Sequence, residues 1–180
     1  MALGVPKGKL DESTSRRLWW AALDTLQHDI LKNIDLRGGL WIASPLPALY
    51  EPLLLQSLKG WVWTPDGIDI IGSQSIGLLP PSTVRSIPNQ NLEDSAVFRR
   101  LPLLPEDGID PLLILITSQV QIALSLHGEA GERSLVMRSD QETLKEVFQM
   151  IFSRLEFEQL PQAIELKEAL SSLRPFDGKY

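Results

Sequence analysis

The 180 residues carry 43% hydrophobic and 22% charged side chains, ordinary shares for one globular domain able to bury roughly 70% of its unfolded surface. The chain has no cysteine, which excludes disulfides, thiolate metal sites, iron–sulfur clusters, thiol nucleophiles and cysteine-linked bilin or haem. A formal net charge of -6 works against nucleic-acid partners, and the lack of an apolar run near the ~20 residues of a membrane span, or of a signal segment before Leu10, predicts a cytoplasmic chain with no membrane partner.

Residues 1–12 read as a flexible N-terminus. From Ser13 to about Lys32, Trp19, Ala22, Leu23, Leu26 and Ile30 recur as the stripe of an amphipathic helix, which Gly38 and Gly39 end. Leu40 to Ala43 reads as a short buried strand, and Ser44-Pro45 as the cap and first position of a second helix to about Leu58, kinked or restarted near Pro52. Trp61 to Trp63 and Ile68 to Ile71 flank Thr64-Pro65-Asp66-Gly67, a turn that predicts a β-hairpin. Between Gly72 and Asn91 the Ser, Gly, Pro, Asn and Gln content predicts a long loop, with a short strand at Thr83 to Ile87.

Val97 to Leu104 and Leu112 to Thr117 read as strands, and Val120 to Leu126 pairs with Arg133 to Met137 across a Gly-containing turn. Ser139-Asp140-Gln141-Glu142 has the form of a capping box, followed by the stripe Leu144, Val147, Phe148, Ile151 and Leu155. Leu160-Pro161 interrupts that pattern before a weaker stripe of Ile164, Leu166, Leu170 and Leu173. The predicted organisation is one α+β domain over residues 13–158, with a mostly antiparallel sheet and its flanking helices to one side, and a C-terminal helix and tail over 159–180 that serves signalling or dimerisation.

Chemistry-bearing residues are few. His28 lies in Leu26-Gln27-His28-Asp29-Ile30-Leu31-Lys32-Asn33, which has the form of a histidine-kinase phosphoacceptor box, although Gly38-Gly39 leads to a strand and not to the second long helix that such a hairpin needs. A plain surface histidine is the simpler reading. His127 stands alone before Gly128, so no metal site is expected, and the carboxylates Glu106, Asp107, Glu156 and Glu158 read as solvated surface charge. Nucleophile-elbow, phosphate-loop, dinucleotide and zincin patterns are missing, so neither a catalytic residue nor a cofactor is predicted.

The tryptophans offer a pocket wall. Trp41, Trp61 and Trp63 are the candidates for contact with a flat or apolar ligand, with packing in the core as the competing reading. Arg99 joins them as a partner for phosphate or carboxylate, since alternation sends Arg99 and Arg100 to opposite faces.

The strand Leu40 to Ala43 leading to Leu49-Tyr50, the run Ile109-Asp110-Pro111-Leu112-Leu113-Ile114, and Val136 to Glu142 opening a helix together resemble the DICT domain. That sensory domain, GAF-like and PAS-like in architecture, belongs to bacterial two-component histidine kinases and diguanylate cyclases, cyanobacterial ones in particular. The resemblance implies a non-catalytic input module that signals through its C-terminal helices. It transfers no functional residue. The expected partners are a signalling output domain or partner protein, a second copy of the chain in a homodimer, and an unidentified small-molecule ligand. The alternatives are a protein-interaction or scaffold module without a ligand, and phosphotransfer through His28.

Overall fold

The computed structural model describes residues 12–65, 98–129 and 132–173. Ile68 to Ile71 of the expected hairpin, the loop from Gly72 to Asn91 and the strand at Thr83 to Ile87 lie outside them.

Among the described residues, six strands form one mixed sheet: β1 (Leu40–Ser44), β2 (Lys59–Thr64), β3 (Arg99–Pro102), β4 (Leu112–Ile116), β5 (Gln121–His127) and β6 (Ser134–Arg138). Their spatial order is β3-β2-β1-β4-β5-β6. The β1–β4, β4–β5 and β5–β6 pairings are antiparallel, whereas β1–β2 and β2–β3 run parallel. The expected α+β class and mostly antiparallel sheet with flanking helices are therefore present. Strand β2, however, finds parallel partners on both sides, Trp41 facing Gly60 and Trp61 facing Arg99 in register.

The helices are α1 (Glu12–Thr25), α2 (Pro52–Ser57), α3 (Gln141–Glu158) and α4 (Leu160–Ser172). They cover both faces of the sheet, not one. Leu40, Ile42, Trp61, Trp63, Ile114 and Ile116 pack under α3 and α4 with Phe148, Leu155 and Leu166. The alternate residues Trp41, Ala43, Val62, Leu113 and Leu115 pack under α1 and α2 with Trp19, Leu23 and Leu54. Strands β1 and β4 are apolar at successive positions because both of their faces are covered. Helix α4 shares its core with α3 through Ala163, Leu166, Leu170 and Leu173, while Ile164 points outward.

Three local features depart from the sequence pattern. Helix α1 runs into a π-turn over Leu26–Ile30 and then a tight turn over Leu31–Asn33. The wider turn takes up one extra residue, so the apolar stripe continues inward at Leu31, and Ile30 faces solvent. Helix α2 starts at Pro52, where the missing N–H is harmless, and residues 45–50, which follow a cis Ser44–Pro45 bond, are not helical. Helix α3 is capped by Asp140 and not Ser139: the Asp140 carboxylate accepts from the Thr143 N–H at 2.8 Å.

Ion pairs fasten the edges. Arg133, next to β6, lies 3.2 Å from Glu12 of α1 and 2.9 Å from Asp110, and Ser15 donates to the Arg133 carbonyl at 3.1 Å. On the other side of the molecule, Arg154 of α3 holds both carboxylate oxygens of Asp107 at 2.5 and 2.7 Å, reaches Glu158 at 3.2 Å and lies over the Trp63 ring. Three of the four carboxylates expected to be solvated are thus paired, since Glu156 meets Lys167 as well.

The Arg154 guanidinium holds the Asp107 carboxyl below its ordinary range. A carboxyl depressed in the folded state contributes stability above its unfolded value, about pH 4, and that contribution fades as pH falls through the folded value. Arg154→Met is expected to lose about 1–3 kcal/mol at neutral pH in urea unfolding. The gap from the parent should narrow below about pH 4. A gap independent of pH would show that Asp107 is not the group that matters.

Candidate functional site

The proposed tryptophan wall is divided by the sheet. Side chains alternate across a strand, so Trp61 and Trp63 share the α3–α4 face. Trp41 lies on the opposite face, edge-on to Phe98 at 5.6 Å between ring centroids. All three rings are buried, at 0%, 1% and 6% exposure for Trp41, Trp61 and Trp63. Their surroundings are supplied by the chain itself.

The polar handles on the α3–α4 side are taken. The Trp61 Nε1–H donates to Gln162 Oε1 at 3.1 Å. Arg99 makes a two-pronged contact with Glu165 of α4, at 2.9 and 3.1 Å. Trp61, Trp63 and Arg99 are therefore brought together, as neighbours that seat α3 and α4 on the β2–β3 edge. Trp41 is different: its Nε1 is buried and has no hydrogen-bond partner.

His28 occupies the π-turn. Its Nε2 lies 3.3 Å from Asp24 Oδ1, one turn earlier, and its Nδ1 is buried without a partner. The Tyr50 hydroxyl donates to the same Asp24 oxygen at 2.9 Å, and its ring stands edge-on to the imidazole. Beside them, the buried Gln27 accepts from the backbone N–H groups of Tyr50 and Glu51 at 2.9 and 3.1 Å and donates to the Leu23 carbonyl at 3.1 Å. The Asp24 carboxylate thus stands at the outer imidazole nitrogen, and the protein encloses the inner one. Asp24, Gln27 and Tyr50 were not singled out from sequence, since 23 to 26 residues separate the partners and only folding of residues 45–51 against the π-turn joins them.

Burial and the Asp24 carboxylate push the Tyr50 phenol well above its ordinary range. A raised folded value gives stability that is complete below the unfolded value, about pH 10, and is lost as pH climbs past it. In an ultraviolet titration, the Tyr50 phenolate, assigned as the signal lost in Tyr50→Phe, is expected to appear only well above about pH 10 or with unfolding. Its appearance near pH 10 in folded protein would refute the Tyr50–Asp24 contact.

A surface feature that sequence reasoning missed lies at the α3–α4 junction. Where α3 meets α4 at Gln159, Phe157 is 92% exposed, Leu160 55% and Ile164 51%, with Met150 two turns back along α3 also exposed. Single exposed apolar residues are ordinary; here several lie on the outer faces of the two helices that meet at Gln159. The signal was present: Phe157 falls outside the stripe of Leu144, Phe148, Ile151 and Leu155. Among the described residues, no helix is long and apolar enough to cross a membrane.

A family model described as a domain of unknown function, DUF8628, matches residues 1–179, and the chain belongs to that family. Neither a curated protein nor a solved structure matches the chain.

Proposed function

We propose that this member of the family is a non-catalytic, cytoplasmic regulatory domain that acts by protein contact, presenting the α3–α4 hairpin to a signalling partner. The carrying observation is the exposed Phe157 with Leu160 and Ile164, on two helices whose inner faces are anchored in the core. This reading keeps the output through C-terminal helices that the sensory-domain resemblance implies. It favours protein contact over a small ligand because Gln162 and Glu165 already satisfy Trp61 and Arg99. Phosphotransfer through His28 is disfavoured by the Asp24 contact and the enclosed Nδ1.

The test is photo-crosslinking in living cells, with benzoylphenylalanine placed in the full chain at Phe157 and, as a control, at the exposed Lys59 that begins β2. One discrete protein adduct from position 157, lost when Ile164→Asp is added, is the expected result. No adduct from a folded, expressed protein would reject the reading. So would an adduct equally strong from position 59.

A further inference from the structure

The outer stripe of α3 runs Glu142, Glu146, Met150, Phe157, at spacings of four, four and seven residues that keep one helix face. That of α4 runs Leu160, Ile164, Glu168. Each stripe is apolar toward the hairpin turn and acidic farther along, Glu146 one turn beyond Met150 and Glu168 one turn beyond Ile164. Glu142, Glu146 and Glu168 are exposed and make no ion pair among the described residues, whereas Lys167, the one cation of α4, is held by Glu156 over the Phe152 ring. Lys145, three residues from Glu142, flanks the far end of the α3 stripe, and Arg154 is turned inward to Asp107 and Glu158. The outer surface is thus an apolar patch continued by the acidic side chains Glu146 and Glu168.

We infer that this surface receives a basic amphipathic helix of a partner protein; the inference rests on the protein-contact reading above and names the chemistry of the partner. Charge complementarity selects that occupant. In a two-fold pairing of copies, Glu146 and Glu168 would meet a like-charged rim, an arrangement that disfavours association. Anionic lipid is repelled by the same rim. A helix with aliphatic residues at i, i+3 and i+4 and lysines or arginines on its flanks covers Phe157, Leu160 and Ile164 while setting cations against Glu146 and Glu168.

The experiment uses two fluorescein-labelled designed peptides of roughly 18 residues, about five helical turns, that share one leucine face and differ in carrying only lysines or only glutamates elsewhere. Anisotropy is read against the full chain. The lysine peptide is expected to bind saturably at one to one, the glutamate peptide not to bind. Phe157→Asp should weaken binding at least about tenfold, and Glu146→Lys with Glu168→Lys by a similar factor, with circular dichroism unchanged. Equal binding of both peptides, no saturable binding, or indifference to the substitutions would overturn the inference. So would a dimer seen by light scattering and dispersed by Phe157→Asp, or binding to neutral phosphatidylcholine vesicles lost in the same variant. A protein adduct from position 157 combined with no discrimination between the peptides would overturn the basic helix alone, and leave the protein-contact reading standing.

Discussion

Replacing Gln27 with leucine is expected to destabilise the protein by about 2–5 kcal/mol, although the two side chains are close in volume and no cavity is opened. The loss comes from polar groups left behind. Gln27 is fully buried, and its Oε1 is the acceptor for the Tyr50 and Glu51 N–H groups, while its Nε2 donates to the Leu23 carbonyl. Each buried donor without a partner forfeits about 1–3 kcal/mol, because its bonds to water in the unfolded chain are not replaced. Urea unfolding gives the total. Hydrogen exchange locates it: the Tyr50 and Glu51 amides should exchange much faster in the variant, even under conditions where the α3–α4 side stays protected. Unchanged exchange at those two amides would show that the Gln27 carboxamide is not what holds residues 45–51.

This contact shows where sequence reading stops. Helix α3 was legible because Leu144, Phe148 and Leu155 repeat at helical spacing and a capping residue precedes them; only the choice of Asp140 over Ser139 was off, and both side chains are able to cap. The β5–β6 pairing was legible because a short Gly-containing turn fixes antiparallel register. Local signals carried both. The parallel arrangement of β1, β2 and β3 had no local signal, and the Pro-Asp-Gly turn after Trp63 suggested a neighbour close in sequence when the partners of β2 are residues 40–43 and 99–102. That helices cover both faces was readable in principle. Leu112-Leu113-Ile114-Leu115-Ile116 does not alternate with polar residues, as a strand with one solvated face would.

The candidate site divides along the same line. Alternation correctly placed Trp61 and Trp63 on one face and separated Arg99 from Arg100. It was silent on what covers that face, since Gln162 and Glu165 lie 101 and 66 residues away from Trp61 and Arg99. The exposed Phe157 was visible only as a residue out of phase, and a residue out of phase becomes informative once its neighbours Leu160 and Ile164 are known to face outward with it.

Gly60→Ala is expected to be the most damaging small substitution in the sheet, at about 3 kcal/mol, the upper end of ordinary overpacking. A Cβ at this position would stand 2.6 Å from the Trp41 Cε2 and Nε1 atoms and 2.7 Å from the Phe98 Cβ. Trp41 has little room to retreat: it is fully buried on the central strand β1, and Gly60 is its partner in parallel register. The indole lies across the bare backbone of β2, so the absence of a side chain at position 60 determines where Trp41 sits. Trp41→Phe removes the five-membered ring that meets the new methyl, together with the Nε1–H that has no partner. In urea unfolding of the four proteins of a double-mutant cycle, Trp41→Phe is therefore expected to recover more than about 1 kcal/mol of the Gly60→Ala loss, a coupling that sites out of contact do not show. Energies additive to within about 0.5 kcal/mol would mean that the indole moves freely away from β2, and Trp41 would then be available to line a ligand pocket on the α1 side of the sheet. Strong coupling fixes the ring between Gly60 and Phe98 as part of the core.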